Sequence, residues 1–192
     1  MVPAVSKLAA MNTQQLIERV RGILTDRYPD YKRKAPGDRV LLAFSVLATD
    51  LRVRESGGNN RGELVEAIIG STGLPTTGGY SWCAATVEFC RTVAEVAPGP
   101  KDPVNARVSA WVEWASSNNR LLKVPARGRL ATFLRTDGTG HIGIVAAVRP
   151  DGSLRTYEGN TSSGDQGSQS NGDGLYQRIR PAGFFTRFIT LD

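Results

Sequence analysis

Three short segments of this chain hold side chains that together could cleave an amide bond. Cys83 lies in Tyr80-Ser81-Trp82-Cys83-Ala84-Ala85, and His141 is the only histidine among the 192 residues. Glu158 and Asn160 end the strand-like segment that follows the histidine. A thiol, an imidazole and a polar side chain that orients the imidazole are the minimal parts of a cysteine nucleophile site. The sequence therefore predicts a Cys/His hydrolase.

Cys83 is placed where a thiol can act as a nucleophile. We predict that Ser81 is the N-cap of a long helix, which leaves Cys83 in its first turn. The free N–H groups and the dipole of a helix N-terminus favour a thiolate, and the same N–H groups can hold an oxyanion. Cys90 would lie about 10 Å further along this helix, beyond the roughly 7 Å that a disulfide allows. We expect a free thiol at Cys83 and a core residue at Cys90.

Two residues are candidates for orienting His141. Pro150-Asp151-Gly152 predicts a hairpin turn after the histidine strand. With a two-residue turn, position 141 pairs with position 160, and Glu158 is the diagonal neighbour on the same face. A three-residue turn with a bulge at Gly152 shifts the register by one and exchanges the two faces. Glu158 and Asn160 therefore both stay candidates for the partner of the imidazole Nδ1–H.

The order of the predicted elements indicates an α+β fold. Helical spacing of apolar residues predominates before residue 117, and short alternating runs follow residue 130. Predicted helices begin at Asn12, Asp38, Glu63, Ser81 and Asn105, and predicted strands cover Leu130 to Leu134, Ile142 to Val148, Leu154 to Glu158, Leu175 to Ile179 and Phe184 to Ile189. We therefore expect N-terminal helices packed on a C-terminal antiparallel sheet. The Gly- and Ser-rich segment from Ser162 to Gly174 is predicted to be a mobile loop.

The motifs taken together resemble the CHAP family, the cysteine, histidine-dependent amidohydrolases/peptidases. The resemblance lies in Trp82-Cys83-Ala84-Ala85, in Gly140-His141-Ile142-Gly143-Ile144-Val145 and in Glu158-Gly159-Asn160-Thr161, in that order. The segment from Arg54 to Pro75 also resembles the lead-in of many bacterial and phage members. The resemblance covers about residues 40 to 190, and it implies a papain-like fold.

Membership of this family would imply hydrolysis of an amide bond in peptidoglycan. The bond would be either the N-acetylmuramoyl–L-alanine bond or a peptide cross-link. The resemblance implies that Cys83 is the nucleophile, that His141 is base and then acid, that Glu158 orients the imidazole and that Asn160 is a supporting polar residue.

Residues beside the predicted nucleophile are candidates for contacting the substrate. Tyr80 and Trp82 shortly precede Cys83, and we predict that they line the substrate site. Some CHAP members bind calcium, but no dense cluster of aspartates precedes Cys83. We therefore predict no required metal and no cofactor.

Length and charge limit the other classes of function. The length fits one main domain, so we predict a helical extension over residues 1–36 and a CHAP-like catalytic domain over residues 37–192. The chain carries 24 Lys and Arg against 18 Asp and Glu, a net charge of +6. The excess of basic residues, which includes small clusters at Lys32 to Lys34 and Arg178 to Arg180, either serves solubility or suits an anionic wall polymer or a membrane surface. No nucleic-acid motif is present, so we expect no nucleic-acid partner, and we expect a monomer.

The leading hypothesis is a peptidoglycan amidase or endopeptidase of the phage lysin type. Residues 1–10 do not resemble a secretion signal, so we expect synthesis in the cytoplasm and action on the cell wall after release or injection. Three alternatives stay open: an injected bacterial toxin of the same chemistry, a papain-like peptidase or deamidase acting on proteins, and a non-catalytic wall-binding or structural module on the same scaffold.

Overall fold

In the computed structural model, which describes residues 11–163 and 172–192, helices precede an antiparallel sheet along the chain. The described helices are α1 (Thr13–Arg27), α2 (Pro36–Ser45), α3 (Glu63–Gly70), α4 (Cys83–Val93) and α5 (Val108–Ser117). Short 3₁₀ turns at Tyr31–Arg33 and Val104–Ala106 and a π-helical turn at Val46–Asp50 complete the helical part. None of these helices has the length and apolar character needed to cross a bilayer.

The sheet contains six described strands. They are β1 (Leu121–Leu122), β2 (Leu130–Leu134), β3 (Gly140–Val148), β4 (Leu154–Thr161), β5 (Gly174–Arg180) and β6 (Arg187–Ile189). Neighbouring strands are antiparallel, in the order β1-β6-β2-β3-β4-β5. The α+β prediction, with N-terminal helices packed on a C-terminal antiparallel sheet, is therefore confirmed, and the arrangement is consistent with a papain-like fold.

Helix α4 lies at the centre of the molecule. It contacts α1, α2 and α3 on the helical side and β3 and β4 on the sheet side. Nine of its eleven residues are buried, and the polar residues Glu88, Arg91 and Thr92 share one face, where they hydrogen-bond to one another. The apolar stripe of α1, including Leu16, Val20 and Leu24, belongs to the same hydrophobic core. The boundary at residue 36 stays a prediction, and residues 1–10 lie outside the described residues.

The starts of two helices differ from our predictions. Helix α2 begins at Pro36 rather than at a cap formed by Asp38, because proline favours the first helical position, and Asp38 lies in the first turn. Helix α4 has Trp82 as its N-cap, without a side-chain hydrogen bond, where we predicted Ser81. Cys83 is therefore the first residue of the helix.

The β3–β4 hairpin combines the two registers that the sequence left open. The turn spans three residues, because Arg149 N–H donates to the carbonyl of Ser153 at 2.9 Å and Gly152 has a φ of +79°. A bulge between Val145 and Ala147 then shifts the pairing by one residue. Beyond the bulge, Ile144 pairs with Tyr157. This is the register predicted for a two-residue turn, and it brings position 141 opposite position 160.

The predicted loop from Ser162 to Gly174 is only partly described. Residues 164–171 lie outside the described residues, so the predicted mobility is not addressed there. Gly174 itself begins β5. It forms an isolated β-bridge with Arg54, which lies between the π-helical turn and α3.

Candidate active site

Cys83 lies at the first residue of α4 and at the meeting point of two clefts. Its side chain lines a cleft of about 460 Å³ on one side and one of about 230 Å³ on the other. The residue is 7% exposed, so the thiol is accessible but largely enclosed. Cys90, on the same helix, is fully buried in the core, and neither cysteine forms a disulfide.

The imidazole of His141, on β3, is hydrogen-bonded to the carboxylate of Glu158, on β4. Imidazole Nε2 lies 2.9 Å from Glu158 Oε2, and both side chains are almost fully buried. The sequence left Glu158 and Asn160 as alternatives, and Glu158 is the residue that binds the ring. The nitrogen differs from our expectation, because Glu158 engages Nε2 and leaves Nδ1 without a partner among nitrogen and oxygen atoms of the described residues. Cys83 interacts with the same ring, so Nδ1 is the nitrogen available to the thiol.

The surroundings of His141 and Glu158 keep both side chains charged. Burial lowers the pKa of His141, but hydrogen bonds and charge interactions with Cys83 and Glu158 outweigh it and raise the pKa to about 9. Burial raises the pKa of Glu158, but Arg180 and His141 together lower it to about 2. An imidazolium paired with a carboxylate is therefore the resting state near neutral pH.

Glu158 has two further partners that the sequence analysis did not identify. Arg180 on β5 donates from Nε to Oε1 at 2.8 Å and from Nη2 to Oε2 at 2.5 Å. The hydroxyl of Thr156 donates to Oε1 at 2.5 Å. The expectation that the Arg178 to Arg180 cluster attracts a polyanion is wrong for its two end residues. Arg178 and Arg180 are buried, and Arg178 donates from Nη1 to the carbonyl of Ser162.

Aromatic rings enclose the imidazole on its sheet side. The ring of Phe185 lies nearly parallel to that of His141, with centroids 6.4 Å apart and an interplanar angle of 16°. Phe133, on β2, lies 6.2 Å away at a tilted angle. This packing restricts rotation of the imidazole and keeps water from the Glu158 contact.

Two glycines permit the close approach of the site elements. A Cβ atom on Gly143 would lie 2.7 Å from Glu158 Cγ, so glycine makes room for the carboxylate beside His141. A Cβ atom on Gly159 would lie 2.2 Å from Thr86 Oγ1 and 3.1 Å from the Trp82 ring. Glycine at this position lets α4 lie directly against β4, which brings the Cys83 end of the helix to the imidazole.

Trp82 and Tyr80 have different roles in the structure. The Trp82 side chain is fully buried, and its Nε1 donates to Glu55 Oε1 at 2.9 Å. Glu55 also accepts from the backbone N–H of Asn60, so the lead-in segment fixes the start of α4. The prediction that Trp82 lines the substrate site is wrong, because an enclosed ring cannot contact a substrate. Tyr80 is 39% exposed, and its substrate role stays a prediction.

Asn160 lies at the end of β4 in a left-handed backbone conformation, with a φ of +52°. Its side chain is buried, lines the larger cleft together with Cys83, and leaves Oδ1 without a hydrogen-bond partner. A buried acceptor beside Cys83 is consistent with the predicted role of Asn160 as a supporting polar residue of the site. That role stays a prediction.

Within the described ranges, no group of three or more metal-ligating side chains could hold a metal ion. The residues that do converge are a thiol, an imidazole and a carboxylate. A thiol at a helix start can attack a carbonyl carbon, and an adjacent imidazolium can donate a proton to the leaving group. The α+β fold and this set of groups are the features of a papain-like cysteine hydrolase.

Comparison with known families agrees with that class. The sequence model of the CHAP domain matches residues 75–160, which include Cys83, His141, Glu158 and Asn160. Residues 75–160 are therefore a CHAP domain, which implies a peptidoglycan amidase or peptidase that depends on cysteine. No curated protein and no solved structure gave a significant match to the chain.

Proposed function

We propose that this protein is a peptidoglycan amidase or cross-link endopeptidase in which Cys83, His141 and Glu158 carry out the reaction. The observation that carries the proposal is the position of Cys83. Its thiol lies at the first residue of α4, opens on two clefts and interacts with the one histidine of the chain. Glu158 holds the far side of the same imidazole.

In the first step, Cys83 Sγ attacks the carbonyl carbon of the substrate amide. The thiol proton is held on His141 Nδ1, while Nε2–H stays hydrogen-bonded to Glu158. The carbonyl oxygen becomes an oxyanion, and the backbone N–H groups of the first turn of α4 stabilise it, since Trp82 supplies no side-chain cap there. The resulting tetrahedral intermediate is bonded through carbon to Sγ.

In the second step, the C–N bond breaks and His141 Nδ1 gives its proton to the departing amine. The acyl group is then a thioester on Cys83. A water molecule attacks this thioester while Nδ1 accepts a proton from it. Cleavage of the C–S bond releases the carboxylic acid and leaves the proton on His141 Nδ1, so the site returns to the state in which the first step began. Glu158 stays ionised throughout and stabilises the imidazolium.

The walls of the two clefts carry charged side chains that can bind the charged groups of a peptide. Arg107 lines the smaller cleft, and Arg135 lines the larger one together with Asp137; the side chains of both arginines are exposed. Because the clefts meet at Cys83, a substrate that crosses the thiol passes one guanidinium on each side. Tyr80 precedes Ser81, which lines both clefts, and its ring is our candidate for an apolar wall of the substrate site.

We infer further that the enzyme acts as a phage-type lysin. The net charge of +6 suits an anionic cell wall. The expected site of action is the cell wall, reached after release from the cytoplasm where the chain is made. An injected toxin with the same chemistry would use the same site, so the distinction must come from the route by which the enzyme reaches the wall.

Zymography on purified peptidoglycan tests the proposed reaction. The wild-type protein should give a clearing band, Cys83→Ala should abolish it, and Cys90→Ala should keep it, because Cys90 lies in the core away from both clefts. Thermal unfolding of both variants verifies that they are folded. Clearing by folded Cys83→Ala at the wild-type rate would remove Cys83 from the mechanism.

Mass spectrometry of products from a defined muropeptide identifies the bond that is cleaved. A free muramic lactyl carboxylate together with a new N-terminal L-alanine would indicate an amidase. A new amino group within the stem peptide or cross-link, with the muramoyl–L-alanine bond intact, would indicate an endopeptidase. Expression in bacteria with and without a membrane-permeabilising protein tests the lysin role. Lysis only with the permeabilising protein would support it, and lysis without that protein would contradict it.

A further inference from the structure

Arg180 is a buried cation that the reaction scheme above does not use. It lies on β5, next to the catalytic hairpin, and its guanidinium makes two hydrogen bonds to Glu158, one to each carboxylate oxygen. Its Nη2 also donates to Thr161 Oγ1 at 3.2 Å. The ring of Phe184 covers the guanidinium at 4.5 Å. This contact is therefore bidentate, enclosed and geometrically fixed.

The contact constrains a carboxylate that also has to hold the imidazole. Glu158 Oε2 accepts from both Arg180 and His141, and Oε1 accepts from Arg180 and Thr156. A planar fork that binds both oxygens fixes the plane of the carboxylate, which a single hydrogen bond cannot do. The direction of Oε2 then determines which edge of the imidazole is turned towards Cys83.

We propose that Arg180 is a positioning residue for the reaction, because it keeps Glu158 ionised and aimed at Nε2 so that Nδ1 of His141 is turned to the Cys83 thiol. This inference rests on the proposed function for its catalytic consequence. The positioning itself is a property of the resting protein. Arg180 acts through Glu158 and touches no reacting atom.

Few other charges face Glu158 in the described part of the chain. His141 faces it from β3 and Arg180 faces it from β5. Arg178, which is also buried on β5, pairs across the strands with Thr156. Thr156 on its own strand is neutral, and the α4 side chains that pack on β4 at Gly159 are Trp82 and Thr86. Cys83 interacts with the imidazole. Removal of the Arg180 charge therefore has one main consequence for Glu158, which is protonation at a higher pH.

The test compares Arg180→Met, Arg180→Lys and Arg178→Lys in the full-length protein. Methionine removes the charge and keeps much of the volume. Lysine keeps a cation but loses the planar fork, and it serves as the second variant if Arg180→Met does not fold. Arg178 is the matched control, because it is also buried on β5 but donates to the Ser162 carbonyl. Unfolding by urea establishes which variants are folded.

The first readout is the pH profile of kcat/KM on solubilised peptidoglycan. We expect the acid limb to move up by roughly 1 to 3 pH units in Arg180→Met, which is the usual effect of an adjacent opposite charge on a carboxyl group. The shift should be smaller in Arg180→Lys and absent in Arg178→Lys. Loss of fold alone would lower the rate at every pH and leave the limb in place.

The second readout does not need activity. Carboxyl ¹³C NMR, with Glu158 assigned by Glu158→Gln, follows its protonation between pH 3 and 8. We expect Glu158 to stay ionised over this range in the wild type and in Arg178→Lys, and to take up its proton within the range in Arg180→Met.

An unchanged acid limb and unchanged Glu158 protonation in a folded Arg180 variant would overturn the inference, as would an equal shift in Arg178→Lys. A wild-type protein without peptidoglycan activity would refute the proposed function instead. In that case the NMR titration still decides whether Arg180 holds Glu158 in its ionised state.

Discussion

Each group of the candidate site derives its chemical state from its neighbours. Burial alone would neutralise both His141 and Glu158, since an enclosed charge loses its hydration. The ion pair between them and the Arg180 fork reverse that outcome, so the pKa of the imidazole rises to about 9 and that of the carboxyl falls to about 2. Enclosure by Phe185 strengthens the pair, because little water screens it.

The sign of each shift determines how stability depends on pH. The raised pKa of His141 means that its contribution is complete below about pH 6.5 and is lost as the pH rises through about 9. The lowered pKa of Glu158 means that its contribution is complete above about pH 4.5 and is lost as the pH falls through about 2. The pair therefore stabilises the fold most between about pH 4.5 and 6.5.

Glu158→Gln tests this pH dependence at the residue scale. The variant leaves the Arg180 charge buried without its partner, so we expect the free energy of unfolding at pH 5.5 to fall by about 3–5 kcal/mol. The deficit relative to wild type should narrow as the pH rises through about 9. We also expect kcat/KM to fall by about 10²-fold or more. Urea unfolding at several pH values and a rate assay measure both effects.

Glu88→Gln is the matched control for that prediction. Glu88 is also buried and paired with an arginine, Arg91, but it has no contact with the histidine. The difference in unfolding free energy between Glu88→Gln and the wild type should stay the same as the pH rises through about 9. The catalytic rate of Glu88→Gln should match that of the wild type. The same narrowing in both variants would contradict the assignment of the effect to His141.

Sequence reasoning identified the three groups that meet in the candidate site but not the residues that hold them in place. Cys83, His141 and Glu158 were recognisable because a thiol at a helix start and one histidine between glycines are unusual features. Arg180 and Phe185 carried no such signal, because their contacts with the site depend on pairing between distant strands. The choice of Nε2 over Nδ1 likewise depends on the direction from which Glu158 approaches.

At the scale of elements, the site is made by one helix end and one hairpin. Four predicted strands match β2 to β5 to within three residues at each end, and Leu130–Leu134 was predicted to the residue. The fifth prediction, from Phe184 to Ile189, was too long, because β6 covers only Arg187–Ile189. Alternating apolar residues give that signal reliably when one face is buried. The two-residue strand β1 was not predicted, because so short a segment has no periodicity. The bulge at Val145 to Ala147, which sets the register at His141, carried no sequence signal either.

Gly159→Ala tests whether the contact between α4 and β4 positions the thiol. The new Cβ would lie 2.2 Å from Thr86 Oγ1, so the helix must shift. We expect a loss of about 1–3 kcal/mol in unfolding free energy and a fall in activity, because Cys83 moves with the helix. Thermal or urea unfolding and the rate assay measure these changes.

Gly22→Ala is the control for the added methyl group. Gly22 lies in α1 and a Cβ there meets no atom within 4 Å. We expect this variant to be more stable by up to about 1 kcal/mol, as alanine favours helices over glycine, and to keep full activity. A Gly159→Ala variant as stable and active as Gly22→Ala would contradict the close-packing account.

At the scale of the whole molecule, one core joins the helices to the sheet. The main hydrophobic core includes residues from α1 through β6. The fold class could be predicted because the helices come first along the chain and the strands follow. The basic charge gave a less reliable prediction, because two of the arginines counted in a surface cluster are buried beside the site. Net charge does not reveal which cations are paired inside a protein.

The central claim is that the Cys83 thiol and the His141 imidazole form one reactive pair at an open cleft. The most direct test is the rate of alkylation by iodoacetamide at pH 6, with each cysteine followed by peptide mass spectrometry. We predict rapid modification of Cys83, slow modification of the buried Cys90, and at least a tenfold fall at Cys83 in His141→Gln. Equal Cys83 rates in the wild type and His141→Gln, or faster reaction at Cys90, would contradict the account.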